Sequence, residues 1–175
     1  MSSIKKIKNI TNLKRKIVCL TAYSKPFAKI LDKYCDIILM GDSVATAFYG
    51  MKNTREIKLD TMINHAISVK KSIKKSLLVF DMPFNTYRNI KEAKKNVKKV
   101  LLKTNCDAVK LESNGKNFKI LKILTDSGIK VMGHIGYTPQ YKKNFSPQGL
   151  NHREEIKLIN EAKNIEDAGC LLYTS

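Results

Sequence analysis

The chain has 175 residues, 43% of them hydrophobic, which is enough for one domain with a buried core and too few for two. No apolar run approaches the roughly 20 residues that span a bilayer, and the basic N-terminus lacks the apolar block of a secretory signal. Composition therefore argues against a membrane protein and predicts a single soluble domain in the cytoplasm.

The formal net charge is +18, from 33 Lys and Arg against 15 Asp and Glu. Such a charge raises the alternative of a nucleic-acid-binding protein, whose affinity would depend strongly on salt. Only four of the basic residues are Arg, however, whereas phosphate-binding proteins usually use Arg forks as well. The lysines also fall on the polar faces of predicted helices, which favours solvated surfaces over a nucleic-acid partner. An example is the set Lys91, Lys94, Lys95, Lys98 and Lys99.

The four cysteines lie far apart, at Cys19, Cys35, Cys106 and Cys170, without a Cys-x-x-Cys pair or a histidine at zinc-finger spacing. This spacing argues against a structural zinc site and against a disulfide framework. Free cysteine behaves in proteins as a small hydrophobe, so we expect buried, reduced thiols.

Short apolar segments alternate with amphipathic segments along the chain. A helix is predicted over residues 3–14, where Ile4, Ile7 and Ile10 are spaced three apart. Residues 37–40, Ile-Ile-Leu-Met, are apolar without alternation, which is typical of a strand buried on both faces of a parallel sheet. Similar segments predict further strands at 16–21, 77–80, 108–111, 130–133 and from 171 onward.

Helices are predicted between these strands. Pro26 lies in the first turn of one that begins near Lys25, and Asp60 is the predicted N-cap of one that ends near residue 75. Others are predicted over 90–104, 118–127 and 153–168. Strand and helix alternate about five and a half times without a β-hairpin, which predicts a parallel sheet with helical crossovers. A closed eight-stranded barrel typically needs about 250 residues, so we expect a barrel that is cut short.

Polar side chains follow four of the predicted strands. Asp42, Asp81, Glu112 and His134 each follow the last apolar residue of a separate predicted strand, and Lys110 lies just inside one. Taken singly, an acid after a strand can be a helix N-cap or a turn residue, and a lone histidine can be a hydrogen-bonded core residue. Together they mark the carboxyl edge of the sheet, where α/β proteins build their sites. Oxygen ligands without grouped cysteines favour Mg²⁺.

Five motifs in one order resemble the ketopantoate hydroxymethyltransferase family. They are Leu-Thr-Ala-Tyr (20–23), Gly-Asp-Ser (41–43), Asp-Met-Pro-Phe (81–84), Val-Lys-Leu-Glu (109–112) and Gly-His-Ile-Gly-Tyr-Thr-Pro-Gln (133–140). The resemblance covers about residues 16–169. It implies an α/β fold, a (β/α)₈ TIM barrel of the phosphoenolpyruvate-mutase-like group, here incomplete and formed by residues 1–175 as a single partial domain.

The resemblance also implies roles for the strand-end residues. Asp42 and Asp81 would bind Mg²⁺ and, through it, a 2-oxo acid substrate; Glu112 would join the metal site. Glu112 and His134 would be catalytic residues that orient substrate and water. The remaining implied substrate-binding residues are Ser43 for the carboxylate, Lys110 for its positive charge, and Tyr23 in the pocket wall.

The implied reaction moves a hydroxymethyl group from 5,10-methylenetetrahydrofolate to 3-methyl-2-oxobutanoate, giving 2-dehydropantoate for pantothenate and coenzyme A biosynthesis. Loss of a proton from C3 of the substrate leaves an enolate, and Mg²⁺ on the ketone oxygen stabilises that charge. A homo-oligomer is implied for the full-length form, without nucleic-acid or membrane partners. A related Mg²⁺-dependent lyase or mutase for another 2-oxo acid is the enzyme alternative, although Lys-x-Glu at 110–112 favours the transferase.

Three departures from the family pattern stand out. Ser24 replaces an acid after Ala-Tyr, and the loop before residues 148–149 is short and lacks paired glycines. The family's general base, a Glu at the end of the sixth strand, lies beyond the last residue of this chain. Residues 170–175 also depart from the family and are expected to be a non-native tail. We therefore expect the 175-residue chain by itself to be inactive.

Overall fold

The computed structural model describes residues 15–142 and 146–174, with only the backbone for residues 173 and 174, so the predicted helix 3–14 lies outside the described residues. Six strands form one sheet in which every neighbouring pair is parallel. The strands are β1 (Cys19–Thr21), β2 (Ile37–Met40), β3 (Leu77–Asp81), β4 (Ala108–Glu112), β5 (Val131–His134) and β6 (Leu172–Thr174).

Helices follow the strands, as the alternating pattern predicts. They are α1 (Lys25–Leu31), α2 (Val44–Ala47), α3 (Leu59–Lys70), α4 (Ile90–Thr104), α5 (Phe118–Asp126) and α6 (His152–Asp167), and a 3₁₀ turn at Thr54–Glu56 precedes α3. Within the described ranges, no helix has the length and hydropathy that a membrane span requires.

The order of the strands in the sheet is the order of the strands in the chain. A doubly wound sheet reverses direction at a switch point, whereas this sheet adds each new strand to the same edge. Repeated right-handed crossovers in one direction place all helices on one face and curl the sheet, which is how a (β/α)₈ barrel is built. The fold is therefore α/β, with the architecture of a partial TIM barrel.

Two hydrophobic layers line the two faces of the sheet. The larger layer contains the helix residues that pack on the strands, for example Val97 of α4 and Ile165 of α6, together with Leu78 and Phe80 of β3. The smaller layer lies on the face away from the helices, where Leu77 and Val79 of β3 join Ile37, Ala108 and Met132. Successive residues of a strand point to opposite faces of the sheet. Asp81, two residues after Val79, therefore lies on the same face as Leu77 and Val79, which we call the inner face.

Some predicted boundaries are wrong. Helix α3 begins at Leu59 with Lys58 at the N-cap position and no side-chain cap, so Asp60 is a first-turn residue and pairs with Lys99 instead. It ends at Lys70 because the following chain turns away, and the Asp32 carboxylate accepts the backbone N–H groups of residues 74, 75 and 76. The loop predicted after β2 contains α2 and the 3₁₀ turn.

The cysteine prediction is confirmed in part. All four thiols are free, and Cys35 and Cys106 are buried. Cys170 is half-buried, and Cys19 is exposed because β1 is an outer strand of the sheet, with all three of its residues accessible.

Candidate functional site

Four of the predicted site residues lie on the inner face at the carboxyl edge of the sheet. Asp81 and Lys110 are neighbours in register on β3 and β4, and Glu112 and His134 are neighbours on β4 and β5. They continue the inner-face spacing of Val79, Ala108 and Met132, so strand geometry alone places them on one side. The loop after β2 brings Asp42 to the same place, where its backbone N–H lies 3.4 Å from Asp81 Oδ2.

A buried ion pair forms the centre of the site. Lys110 Nζ lies 2.8 Å from Asp81 Oδ2, and the two side chains are only 6% and 3% exposed. Burial opposes the charged form of Lys110, but its interactions with Asp81, Asp42 and Glu112 together outweigh burial, and the pKa of Lys110 lies above its ordinary value. The lysine therefore stays protonated beside three buried carboxyl groups, those of Asp42, Asp81 and Glu112.

Two of those carboxyl groups hold their protons unusually strongly. Burial raises the pKa of Asp42 to about 7, helped by the negative charge of Asp81 and opposed by Lys110. Burial likewise raises the pKa of Glu112 to about 7, although the positive charge of Lys110 partly offsets it. The site thus exchanges protons near neutral pH, which is typical of catalytic and ligand-binding groups.

His134 is neutral at physiological pH. Burial, together with the nearby positive charge of Lys110, lowers the pKa of its imidazole to about 4. Its Nδ1 lies 3.3 Å from Glu112 Oε1, but neither atom has a partner in hydrogen-bond geometry. A neutral ring can both accept and donate a hydrogen bond, so His134 is suited to orienting a bound substrate.

Gln140 connects the acids, and sequence reasoning named it only as the last residue of a motif. Its side-chain amide donates to Asp42 Oδ2 at 2.9 Å, and its backbone N–H donates to Glu112 Oε2 at 3.0 Å. The amide oxygen accepts from the hydroxyl of Tyr87, which no sequence pattern marked. The site therefore extends beyond the strand ends into the loops after β3 and β5.

The hydroxyl groups of Tyr23 and Ser43 form a hydrogen-bonded pair, with their oxygens 2.8 Å apart. Ser43 stands at the N-cap position of α2 but makes no capping bond, so its hydroxyl is turned to Tyr23. Nδ1 of the His65 ring lies 2.6 Å from the backbone carbonyl oxygen of Tyr23, and Nε2 of the same ring contacts the Tyr49 hydroxyl. The predicted substrate-binding residues thus form two groups: the charged cluster and this hydroxyl pair.

Three places at which the chain departs from the family pattern, namely Ser24, the loop before residues 148–149 and the residues after 169, have different outcomes. Ser24 is the N-cap residue of α1 and makes no side-chain cap, and it lines a surface groove with Tyr49 and His65. Residues 143–145 of the loop before 148–149 lie outside the described residues. The chain after α6 forms β6 beside β5, so the predicted strand from 171 onward is present as Leu172–Thr174.

The acids fit a magnesium ion. Asp81 Oδ1 and Glu112 Oε1 are buried oxygen atoms without a hydrogen-bond partner, which is costly unless something else binds them. Mg²⁺ typically takes only one or two protein carboxylates and keeps several waters, which matches Asp42 and Asp81. In the described ranges no three Asp, Glu, His or Cys residues converge as a ready-made metal site, so coordination by Glu112 stays a prediction.

The sequence matches one protein family over nearly its whole length. The model of the family described as ketopantoate hydroxymethyltransferase matches residues 1–174. A 3-methyl-2-oxobutanoate hydroxymethyltransferase of Pelagibacter ubique is 47% identical over 94% of this chain and 65% of its own length. The enzyme of the same name from Anaplasma marginale is 43% identical over 88% of this chain and 57% of its own length. The chain thus spans roughly three fifths of these relatives.

Solved structures share the fold at low identity. A phosphonopyruvate hydrolase in complex with oxalate and Mg²⁺ superposes with a TM-score of 0.75 and 12% identity, covering 97% of this chain and 61% of that one. A 2,3-dimethylmalate lyase of the PEP mutase/isocitrate lyase superfamily superposes with a TM-score of 0.70 and 13% identity, covering 96% and 61%. These likenesses confirm the predicted fold, a partial TIM barrel.

Proposed function

Because the chain belongs to the ketopantoate hydroxymethyltransferase family, we propose that it contributes the substrate site of a 3-methyl-2-oxobutanoate hydroxymethyltransferase. The proposed reaction transfers a hydroxymethyl group from 5,10-methylenetetrahydrofolate to 3-methyl-2-oxobutanoate and yields 2-dehydropantoate, for pantothenate biosynthesis. The observation that carries the proposal is the buried Asp81–Lys110 pair beside Asp42, at the carboxyl edge of the sheet.

The charges of this cluster suit a small anionic 2-oxo acid. Lys110 is buried and protonated, so it offers a positive charge in a place of low dielectric, where it acts strongly on a substrate anion. The Ser43 and Tyr23 hydroxyls offer donors to the substrate carboxylate. These groups bind and orient the substrate.

Asp42 and Asp81 are the proposed ligands of Mg²⁺, which would act as a Lewis acid toward charge that develops on the ketone oxygen. Glu112 and His134 are assigned to orienting the substrate, and not to removing its proton. Glu112 fits this role because its Oε2 is held by Gln140 while its Oε1 has no hydrogen-bond partner. The neutral ring of His134 adds a donor or an acceptor beside it.

Binding is the first test of this proposal. Calorimetric titration of the 175-residue chain with 3-methyl-2-oxobutanoate should show binding with Mg²⁺ and at least tenfold weaker binding with EDTA. The Asp81→Asn variant should lose the Mg²⁺-dependent part, whereas Asp126→Asn, the same change at an exposed site, should keep it. Equal binding with and without Mg²⁺ would refute the metal assignment, and salt-sensitive binding of DNA in its place would support the nucleic-acid alternative.

Turnover is the second test. The chain is extended with the C-terminal part of the Pelagibacter ubique relative, and production of 2-dehydropantoate is followed with methylenetetrahydrofolate as donor. We expect turnover in the extended protein and its loss in the Asp81→Asn version. A folded, inactive extended protein that still binds the 2-oxo acid would favour the alternative of a related lyase or mutase. Cytoplasmic location and a homo-oligomeric state stay predictions.

A further inference from the structure

Gln140 is the most connected polar residue of the site. Only 1% exposed, it lies in the loop after β5 and makes four polar contacts. Its Nε2 lies 2.9 Å from Asp42 Oδ2 and 3.0 Å from the carbonyl oxygen of Met82. Its Oε1 lies 2.5 Å from the Tyr87 hydroxyl, and its backbone N–H donates to Glu112 Oε2.

The hydrogen bonds define where each proton of this network lies. The backbone N–H of Glu112 can only donate, so the Tyr87 oxygen accepts there and its own proton is left for Gln140 Oε1. The Gln140 oxygen therefore faces Tyr87, and its amino group faces Asp42 and the Met82 carbonyl, which are two acceptors. The reverse amide orientation would set the amide oxygen against the Met82 carbonyl oxygen and the amino group against the Tyr87 proton, so Tyr87 and Met82 together fix the direction of the amide.

The backbone around Gln140 is also fixed by contacts with Arg55, which lies in the 3₁₀ turn before α3. The Arg55 guanidinium donates to the carbonyl oxygens of Pro139 and Lys142, both at 3.2 Å, and lies over the Phe84 ring at 5.9 Å. These contacts fix the chain on both sides of residue 140, so the backbone N–H of Gln140 has a defined direction. Each of the two acids it contacts then keeps one fixed oxygen.

We propose that Gln140 is a positioning residue that, oriented by Tyr87, holds the Asp42 and Glu112 carboxyl groups in the arrangement that receives the metal ion and the 2-oxo acid. Each acid has one oxygen fixed by Gln140, at Asp42 Oδ2 and Glu112 Oε2. Glu112 Oε1 keeps no partner and is left for a ligand. The proposal rests on the proposed function for the substrate, but its metal part can be tested without the substrate.

The test measures the dissociation constant of Mn²⁺, a paramagnetic substitute for Mg²⁺, by electron paramagnetic resonance on the 175-residue chain. Gln140→Met keeps the size of the side chain and removes its three amide contacts, while the backbone contact to Glu112 Oε2 remains. Loss of a residue that orients a metal ligand typically weakens metal affinity by about 10–100-fold, and that range is expected here. Tyr87→Phe should weaken it less, because the Met82 carbonyl still directs the amino group of the amide and Asp42 stays within its reach.

The double variant separates positioning from general damage. If Tyr87 acts through Gln140, then adding Tyr87→Phe to Gln140→Met should change the Mn²⁺ affinity by less than about twofold. Asn117→Leu is the matched control, since this buried amide donates to the backbone carbonyl of Glu112 and to no carboxylate. The control should lose stability in urea and keep its Mn²⁺ affinity.

Each outcome decides the proposal. Unchanged Mn²⁺ affinity in Gln140→Met, equal weakening in Asn117→Leu, or fully additive effects in the double variant would overturn it. A wild-type chain that binds no Mn²⁺ would overturn it together with the metal assignment. Weakened Mn²⁺ binding in Gln140→Met would support it even if 3-methyl-2-oxobutanoate fails to bind the wild type, and in that case only the proposed function is lost. If Gln140→Met is unfolded in circular dichroism, Tyr87→Phe alone decides, and unchanged affinity there overturns the proposal.

Discussion

Replacing Asp42 by asparagine removes one of the two carboxyl groups whose pKa lies near 7, and the size of the effect follows from the structure. The interval between the ordinary carboxyl value of 3.8 and about 7 is roughly three pH units. At about 1.4 kcal/mol per unit, ionising Asp42 in the folded protein costs roughly 4 kcal/mol in total. About 3 kcal/mol of that falls between pH 5 and pH 8, because the unfolded carboxyl is already ionised at about pH 5.

The sign follows from proton counting. The folded state holds the Asp42 proton more strongly than the unfolded state, so stability is lost as pH rises through this range. Glu112 contributes in the same direction. His134 contributes in the opposite direction, since its pKa is lowered to about 4 and the unfolded chain takes up its proton first as pH falls. Only the difference between the variant and the wild type isolates Asp42.

The assay is urea unfolding followed by far-ultraviolet circular dichroism, with EDTA present, at about pH 5 and about pH 8. Relative to the wild type, Asp42→Asn should gain roughly 3 kcal/mol of unfolding free energy between the lower and the higher pH. Asp126→Asn is the matched control because its side chain is 57% exposed, and its difference from the wild type should not vary. A difference that stays constant or shrinks for Asp42→Asn would refute the role of burial.

Three further predictions concern stability. In Mg²⁺ at about 100 times its dissociation constant, the wild type should gain about 2.7 kcal/mol at pH 8 in urea unfolding, and Asp81→Asn should gain nothing. Lys110→Met leaves Asp81 buried without its partner and should cost about 3–5 kcal/mol in the same assay; wild-type stability would contradict the ion pair. Gly133→Ala should cost about 1–3 kcal/mol, because a Cβ there would lie 2.7 Å from two atoms of Ile165. Adding Ile165→Ala should then cost less than the sum of the single changes, measured as a double-mutant cycle.

The sequence pattern alone predicts the bounds of an element correctly where the residues that end the element are its immediate neighbours in the chain. Strand β2 matches its predicted bounds because an acid and a glycine enclose its apolar run. Helix α4 also matches, since the Asn89 side chain accepts the N–H of Glu92 at its start and Asn105 adopts a left-handed conformation at its end. Neither case needs contacts from elsewhere in the chain.

Boundaries set by distant contacts could not be predicted in this way. Strand β1 was predicted from residue 16 but begins at Cys19, because its partner β2 starts at Ile37 and those two residues pair. Helix α3 ends five residues early beside a loop that is held by Asp32, more than 40 positions away in the sequence. Periodicity carries no information about such long-range contacts.

The site residues, too, divide into those that local sequence predicts and those that depend on distant contacts. The residues at the strand ends were predictable, because parallel strands bring their carboxyl ends to one edge whatever the helices do. Gln140 and Tyr87 lie in loops, and their roles depend on side-chain directions that no spacing rule gives. The only sequence feature that pointed to Gln140 was its place at the end of the Gly-His-Ile-Gly-Tyr-Thr-Pro-Gln motif, and nothing pointed to Tyr87.

Charge balance links the buried acids to the proposed metal. With Asp42 and Glu112 protonated, the Asp81–Lys110 pair is neutral as a whole, which suits a site with little solvent. Ionising both acids adds two negative charges that the described residues leave without a second buried cation, and a divalent ion supplies the matching charge. Metal ligands must lose their protons to bind, so uptake of Mg²⁺ near neutral pH is coupled to proton release. The stabilisation by Mg²⁺ should therefore grow from about pH 6 to about pH 8, over the range in which the metal-free protein loses stability.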